Sequence, residues 1–87
     1  MKIIAKPVEM VLWVDIKGII HPTRFRIAND DDSSTVIKVD KVITRDEEKF
    51  AGNRMLVLKC QSVINGVEKI YELKYEFNTC KWMLYKI

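Results

Sequence analysis

Between Arg54 and the C-terminus, apolar and charged residues alternate with a period of two, the spacing of a strand that buries one face. The pattern is interrupted twice, at Asn65-Gly66 and at Asn78-Thr79. Asn-Gly suits a two-residue type I′ turn, in which both central residues take positive φ. Closing that turn sets Ile64 opposite Val67, Cys60 opposite Tyr71, Leu58 opposite Leu73 and Leu56 opposite Tyr75. The other face then holds Lys59 with Glu72, Val57 with Lys74 and Met55 with Glu76. Closing the second turn in the same way pairs Phe77 with Cys80, Tyr75 with Trp82 and Leu73 with Leu84, and Glu76 meets Lys81 outside. Both turns nominate one apolar face. A slip of one residue would carry Lys59, Glu72 or Lys81 into the core. Residues 54–87 are therefore predicted to form a three-stranded meander.

The first half is less regular. Met10 to Val14 is a continuous apolar run, and Asp15-Ile16-Lys17-Gly18 after it suits a type I turn with a bulge. A second strand spans about Ile19 to Ala28, with Pro22 at an edge or bulge because it has no N–H for a ladder. Thr23, Phe25 and Ile27 alternate there with Arg24 and Arg26. Asn29 to Ser34 is a polar loop, and Thr35 to Thr44 reads as a third strand with Ile37, Val39 and, near its end, Ile43 inward. Thr44-Arg45-Asp46-Glu47 has the spacing of a capping box, which predicts a short helical turn near residues 45–51, ended by Gly52 and with Phe50 closing one end of the core; the competing reading is a long bent hairpin tip. Six strands on one short chain give an all-β domain over residues 1–87. It is expected to be a small antiparallel barrel or strongly curled sheet, SH3-like first and OB-like second.

Composition agrees with strands: Val, Ile and Thr number 24 against 8 for Ala and Leu. The net charge of +3 is spread evenly, with seven basic and six acidic residues up to position 44 and eight and six after it. There is thus no basic arm or acidic tail, and the charge permits a polyanionic partner without requiring one. The opening apolar run stops at Lys6-Pro7, too short for a secretory core, and no run approaches the roughly 20 residues of a membrane span. A cytoplasmic, reduced location with no membrane partner is the expectation.

No residue set carries a catalytic signature. Cys60 and Cys80 lie six residues apart along one strand direction in the predicted register, roughly 20 Å, too far for a disulfide or a shared metal. They read as buried thiols. His21 is the only histidine and has Ile20 and Pro22 as neighbours. Asp30-Asp31-Asp32 lacks the alternating ligands of a calcium loop, and three scattered glycines build no phosphate cradle. No metal site, cofactor or small-molecule substrate is expected.

Two binding features remain. Arg24 and Arg26 project from one face about 7 Å apart, near the spacing of successive phosphates, and Lys38 and Lys41 could extend them. A solvated charged face is the plainer reading, since Tyr71, Tyr75, Phe77 and Trp82 are assigned to the core. The second feature is strand one: Met10, Leu12 and Val14 occupy one face while Val11 and Trp13 occupy the other. A strand apolar on both faces is covered on both. In a chain with little helix, the cover is a partner, a second copy, or the segment Met1 to Lys6 folded back. Met83 and Tyr85 raise the same question on the last strand.

Pro7-Val8-Glu9, Gly18, Pro22 with Arg24-Phe25-Arg26, Val39-Asp40-Lys41-Val42, Tyr71-Glu72-Leu73 and Trp82-Met83-Leu84 together resemble a group of short bacterial proteins of unknown function. Members of that group are often encoded near Y-family, lesion-bypass DNA polymerases. The likeness runs over almost the whole chain but departs after Arg26, where Ile27-Ala28-Asn29 stands in place of an aromatic and a glycine. It implies a small all-β accessory domain in a DNA-repair context and supplies no active-site residues.

The sequence thus points to a non-enzymatic binding module acting through Met10, Leu12, Val14, Met83 and Tyr85 on a protein partner or a second copy. The alternative is weak, salt-dependent nucleic-acid binding through Arg24, Arg26, Lys38 and Lys41.

Overall fold

A computed structural model describes residues 1–87. Seven antiparallel strands form one curled sheet: β1 (Ile3–Val14), β2 (Ile20–Ala28), β3 (Ser34–Lys38), β4 (Lys41–Phe50), β5 (Asn53–Ile64), β6 (Val67–Glu76) and β7 (Lys81–Lys86). Their order across the sheet is β3-β2-β1-β7-β6-β5-β4. There is no helix, and so none long and apolar enough to cross a membrane.

The β5–β6 hairpin has the register expected from Asn65-Gly66, whose φ angles are 52° and 76°. In β6–β7, Tyr75 faces Trp82, Leu73 faces Leu84 and Glu76 faces Lys81 as expected, but the connection differs. It is a four-residue loop, Phe77 to Cys80, in which Cys80 (φ 58°) takes the left-handed conformation and donates its N–H to the Glu76 carbonyl. Thr79 is poorly suited to positive φ, and Glu76–Lys81 closes the ladder with either turn. Cys80 is therefore exposed, which corrects its assignment to the core; Cys60 is buried, and both thiols are free.

The helical turn near residues 45–51 does not form, and Phe50, expected to close one end of the core, is exposed beside the β4–β5 turn. Thr44 and Glu47 sit in the β4–β5 ladder opposite Lys59 and Leu56. The connection is a two-residue turn at Ala51-Gly52 with φ angles of 49° and 82°. A single helical turn would be marginal by itself, whereas the extended chain pairs nine residues of β4 with β5; Ile43, expected inward, is left out at a bulge and exposed. The predicted third strand is split, which raises the count from six to seven. At the split, Val39 donates its N–H to the Thr23 carbonyl of β2, and Asp40 donates to Gln61 of β5. The chain steps there from one edge of the sheet to the other, so a two-residue link ties the two edges of the curled sheet together.

The core lines the inner face: Phe25, Ile37, Leu58, Cys60, Tyr71, Leu73, Trp82 and Leu84. Ser62 fastens the hand-over from within. Its hydroxyl donates to the Lys38 carbonyl (2.6 Å), so the phenol of Tyr71 must be the donor in the 2.5 Å bond between the two hydroxyls. Closure is incomplete. The accessible surface of 6007 Å² exceeds the roughly 5,300 Å² typical of a compact protein of this mass. Met1 to Lys6 does not fold over strand one: from Ile3 onward it extends β1 within the sheet, beside β7.

Candidate binding face

Pro22 decides which side chains share the outer face of β1–β3. The β1–β2 register shifts between Val11 and Leu12, so that Val11 faces Arg24, Leu12 faces Pro22 and Trp13 faces His21. Thr23 is the extra residue, and its hydroxyl donates to the Val11 carbonyl at 2.7 Å. Pro22, which has no N–H to leave unpaired, is buried inward. The bulge brings His21 and Arg24, three residues apart, onto one side, and three cross-strand rows result. The first is Trp13 and His21; the second Val11, Arg24 and Lys38; the third Glu9, Arg26 and Val36.

Large apolar groups stand open on this face, with Trp13 54%, Val11 50% and Val36 62% exposed. The Trp13 ring stacks on His21, with centroids 4.1 Å apart and planes at 17°. Nε2 of His21 is 2.9 Å from Oδ2 of Asp15, while Oδ1 of Asp15 accepts the N–H groups of Lys17 and Ile19. The bond to His21, then that to Ile19, holds the Asp15 carboxyl below its ordinary value. The aromatic pair is thus anchored to the β1–β2 turn. Arg26 donates to Glu9 from Nε (3.0 Å) and Nη2 (2.6 Å). Arg24 and Lys38 face each other directly, and neither forms an ion pair or a side-chain hydrogen bond. Like charges directly opposed on a sheet are unfavourable. Elsewhere on the sheet Lys59 lies opposite Glu72, Glu76 opposite Lys81, and the Lys49–Arg54 pair is relieved by the Arg54–Glu47 ion pair. A shallow groove of about 520 Å³ runs over the middle rows, lined by Val11, Arg24, Arg26 and Val36 among others.

Three of the four cations picked out from the sequence, Arg24, Arg26 and Lys38, thus converge. Lys41 does not join them: it begins β4 opposite Gln61, beyond the hand-over. Of the apolar candidates, Met10 and Leu12 pack against the core from the inner face, and Val14 is exposed. Met83 lies beside Pro7 and Lys74. Tyr85 lies over the Lys74 amine, 3.7 Å from ring centroid to Nζ, and Glu48 holds that amine at 3.0 Å. The exposed aromatic of strand one is Trp13, whose outward position was present in the alternation of Val11 and Trp13 with Met10 and Leu12. Burial pushes the Cys60 thiol up to about 12, so it stays protonated at neutral pH.

No family model, curated protein or solved structure matches the chain.

Proposed function

We propose that the protein is a non-enzymatic binding module that engages a protein partner through the outer face of β1–β3. The observation that carries this reading is the exposure of Trp13 and Val11 on a strand whose other face, through Met10 and Leu12, is already packed on the core. Trp and Arg are the residues that most often dominate interface energetics, and Trp13 here stacks on His21. A strongly curled, SH3-like platform, a cytoplasmic location and a DNA-repair context, the last taken from the resemblance, belong to the same proposal.

The test uses the intact chain as bait and then the purified partner. Trp13→Ala with Val11→Ser should weaken the purified interaction at least about 30-fold, the equivalent of about 2 kcal/mol, with an unchanged unfolding midpoint. Equal binding by the variant, or no partner at all, would overturn the reading.

A second reading, nucleic-acid binding, is favoured by the unrelieved Arg24–Lys38 pair. It requires affinity for a labelled oligonucleotide that falls steeply with salt and is lost in Arg24→Ala/Arg26→Ala. Absence of binding at low salt disposes of it.

A further inference from the structure

The two edges of the sheet differ in kind. β4 exposes Arg45, Asp46, Glu47 and Lys49 along its length, and charged edges resist pairing with other chains. β3 reads Ser34-Thr35-Val36-Ile37 before its first charge, an uncharged and mostly β-branched edge. Its free hydrogen-bonding groups can be placed. The Lys38 carbonyl meets Ser62 of β5 and so points away from β2, whereas the Val39 N–H points toward β2. Backbone groups alternate along a strand, so the N–H and C=O of Ser34 and Val36 face outward from the sheet edge.

We infer that β3 pairs with β3 of a second copy, antiparallel about a two-fold axis through Thr35. That axis sets Ser34 of each copy opposite Val36 of the other. Each such pair exchanges two N–H···O=C bonds, four in all, and the Lys38 carbonyl keeps its bond to Ser62. Charge selects this arrangement. The hairpin is acidic at its loop, where Asp30, Asp31 and Asp32 form no ion pair, and basic at its far end, where Lys38 and Arg24 form none. Antiparallel pairing of two such hairpins lays the acidic loop of each beside the unrelieved cations of the other. β5 already lies along the outward side of Lys38, so the contact at each end is between side chains of the acidic loop and the cations and adds no backbone pair. The inference goes beyond the proposed partner and does not depend on it, because Trp13 and Val11 lie two strands away from this edge.

Sedimentation equilibrium from about 1 to 500 μM tests it, the range suited to a small interface. A monomer–dimer equilibrium is expected. Val36→Lys, which places a charge on the edge, should abolish the dimer with an unchanged unfolding midpoint. Val36→Pro, which removes an outward N–H that β2 does not use, should do the same. Lys38→Glu should weaken the dimer about tenfold, the effect of about one close charge pair, and adding Asp32→Lys should restore it. A strict monomer throughout the range overturns the inference. So does a dimer that survives both Val36 variants, or one that Lys38→Glu leaves unchanged. Loss of partner binding in Trp13→Ala without loss of the dimer would separate this edge from the outer face.

Discussion

The relay from Tyr71 through Ser62 to the Lys38 carbonyl makes a prediction in which the second mutation repairs part of the damage of the first. Tyr71→Phe removes the terminal donor, leaves Ser62 bonded to Lys38, and should cost about 1 kcal/mol, the net worth of one hydrogen bond. Ser62→Ala removes the middle of the relay. It leaves a buried phenol without an acceptor and a carbonyl without a donor, and at about 1 to 3 kcal/mol for each unsatisfied group, partly relieved by relaxation, about 3 kcal/mol is expected. In the double variant only the carbonyl is orphaned, so the cost should fall to about 2 kcal/mol. The sum of the single effects would be about 4 kcal/mol, and the difference is the coupling. Urea unfolding followed by tryptophan fluorescence reads this directly, because Trp82 is buried. In a chain of this length 1 kcal/mol also moves the thermal midpoint by about 5 °C. A double variant as unstable as the sum, or less stable than Ser62→Ala alone, would refute the relay.

Three further outcomes are expected. Ala51 holds φ 49° in a turn that favours Asn, so Ala51→Asn should stabilise the β4–β5 hairpin by about 0.5 to 1 kcal/mol; a lower denaturation midpoint would contradict the turn geometry. Asp15 is held below its ordinary value by His21, and Glu76 is lowered by Thr79 and Asn53. A lowered carboxylate contributes stability that is present above its unfolded value near 4 and lost as pH falls through the folded value. Thermal midpoints should therefore drop below about pH 4, less steeply in Asp15→Asn; superimposable acid limbs would exclude the contribution. Cys80 is exposed and Cys60 buried, so one thiol per chain should react with a disulfide reagent under native conditions and two after unfolding; two fast native thiols would contradict the placement of Cys60.

The β5–β6–β7 register was legible because each hairpin aligns a whole face. An Asn-Gly turn and the one-sided distribution of Leu, Tyr and Trp leave a single register that keeps Lys59, Glu72 and Lys81 out of the core. What failed there was local: the position of positive φ moved to Cys80, and one side chain left the core without disturbing any pair. β4 was hidden for a different reason. Arg45 to Phe50 has good helix formers and a cap-like start, and only pairing with β5, a tertiary effect, makes it a strand. The step at Val39-Asp40 carries neither Gly nor Pro, so nothing local announces that the chain leaves β2 for β5. That step separates Lys41 from the other cations. In contrast, the convergence of Arg24 with Lys38 follows from alternation once the β2–β3 hairpin is accepted, and the bulge that adds His21 was signalled by Pro22.

The hand-over at residues 39–40 also bears on how the chain could be re-cut. Lys2 and Ile87 exchange two backbone hydrogen bonds, of 2.8 and 3.0 Å, so the two ends of the chain lie side by side in neighbouring strands. Joining them and opening the chain between Val39 and Asp40 would give the order β4-β5-β6-β7-β1-β2-β3. Every strand would then neighbour its predecessor, and the sheet would become an uninterrupted seven-stranded meander. All of its pairings would be sequence-local, which favours faster folding. The permuted chain would, however, have no covalent link to draw the two edges together. Whether it still curls would separate the curvature built into the strands from the curvature imposed by a single dipeptide.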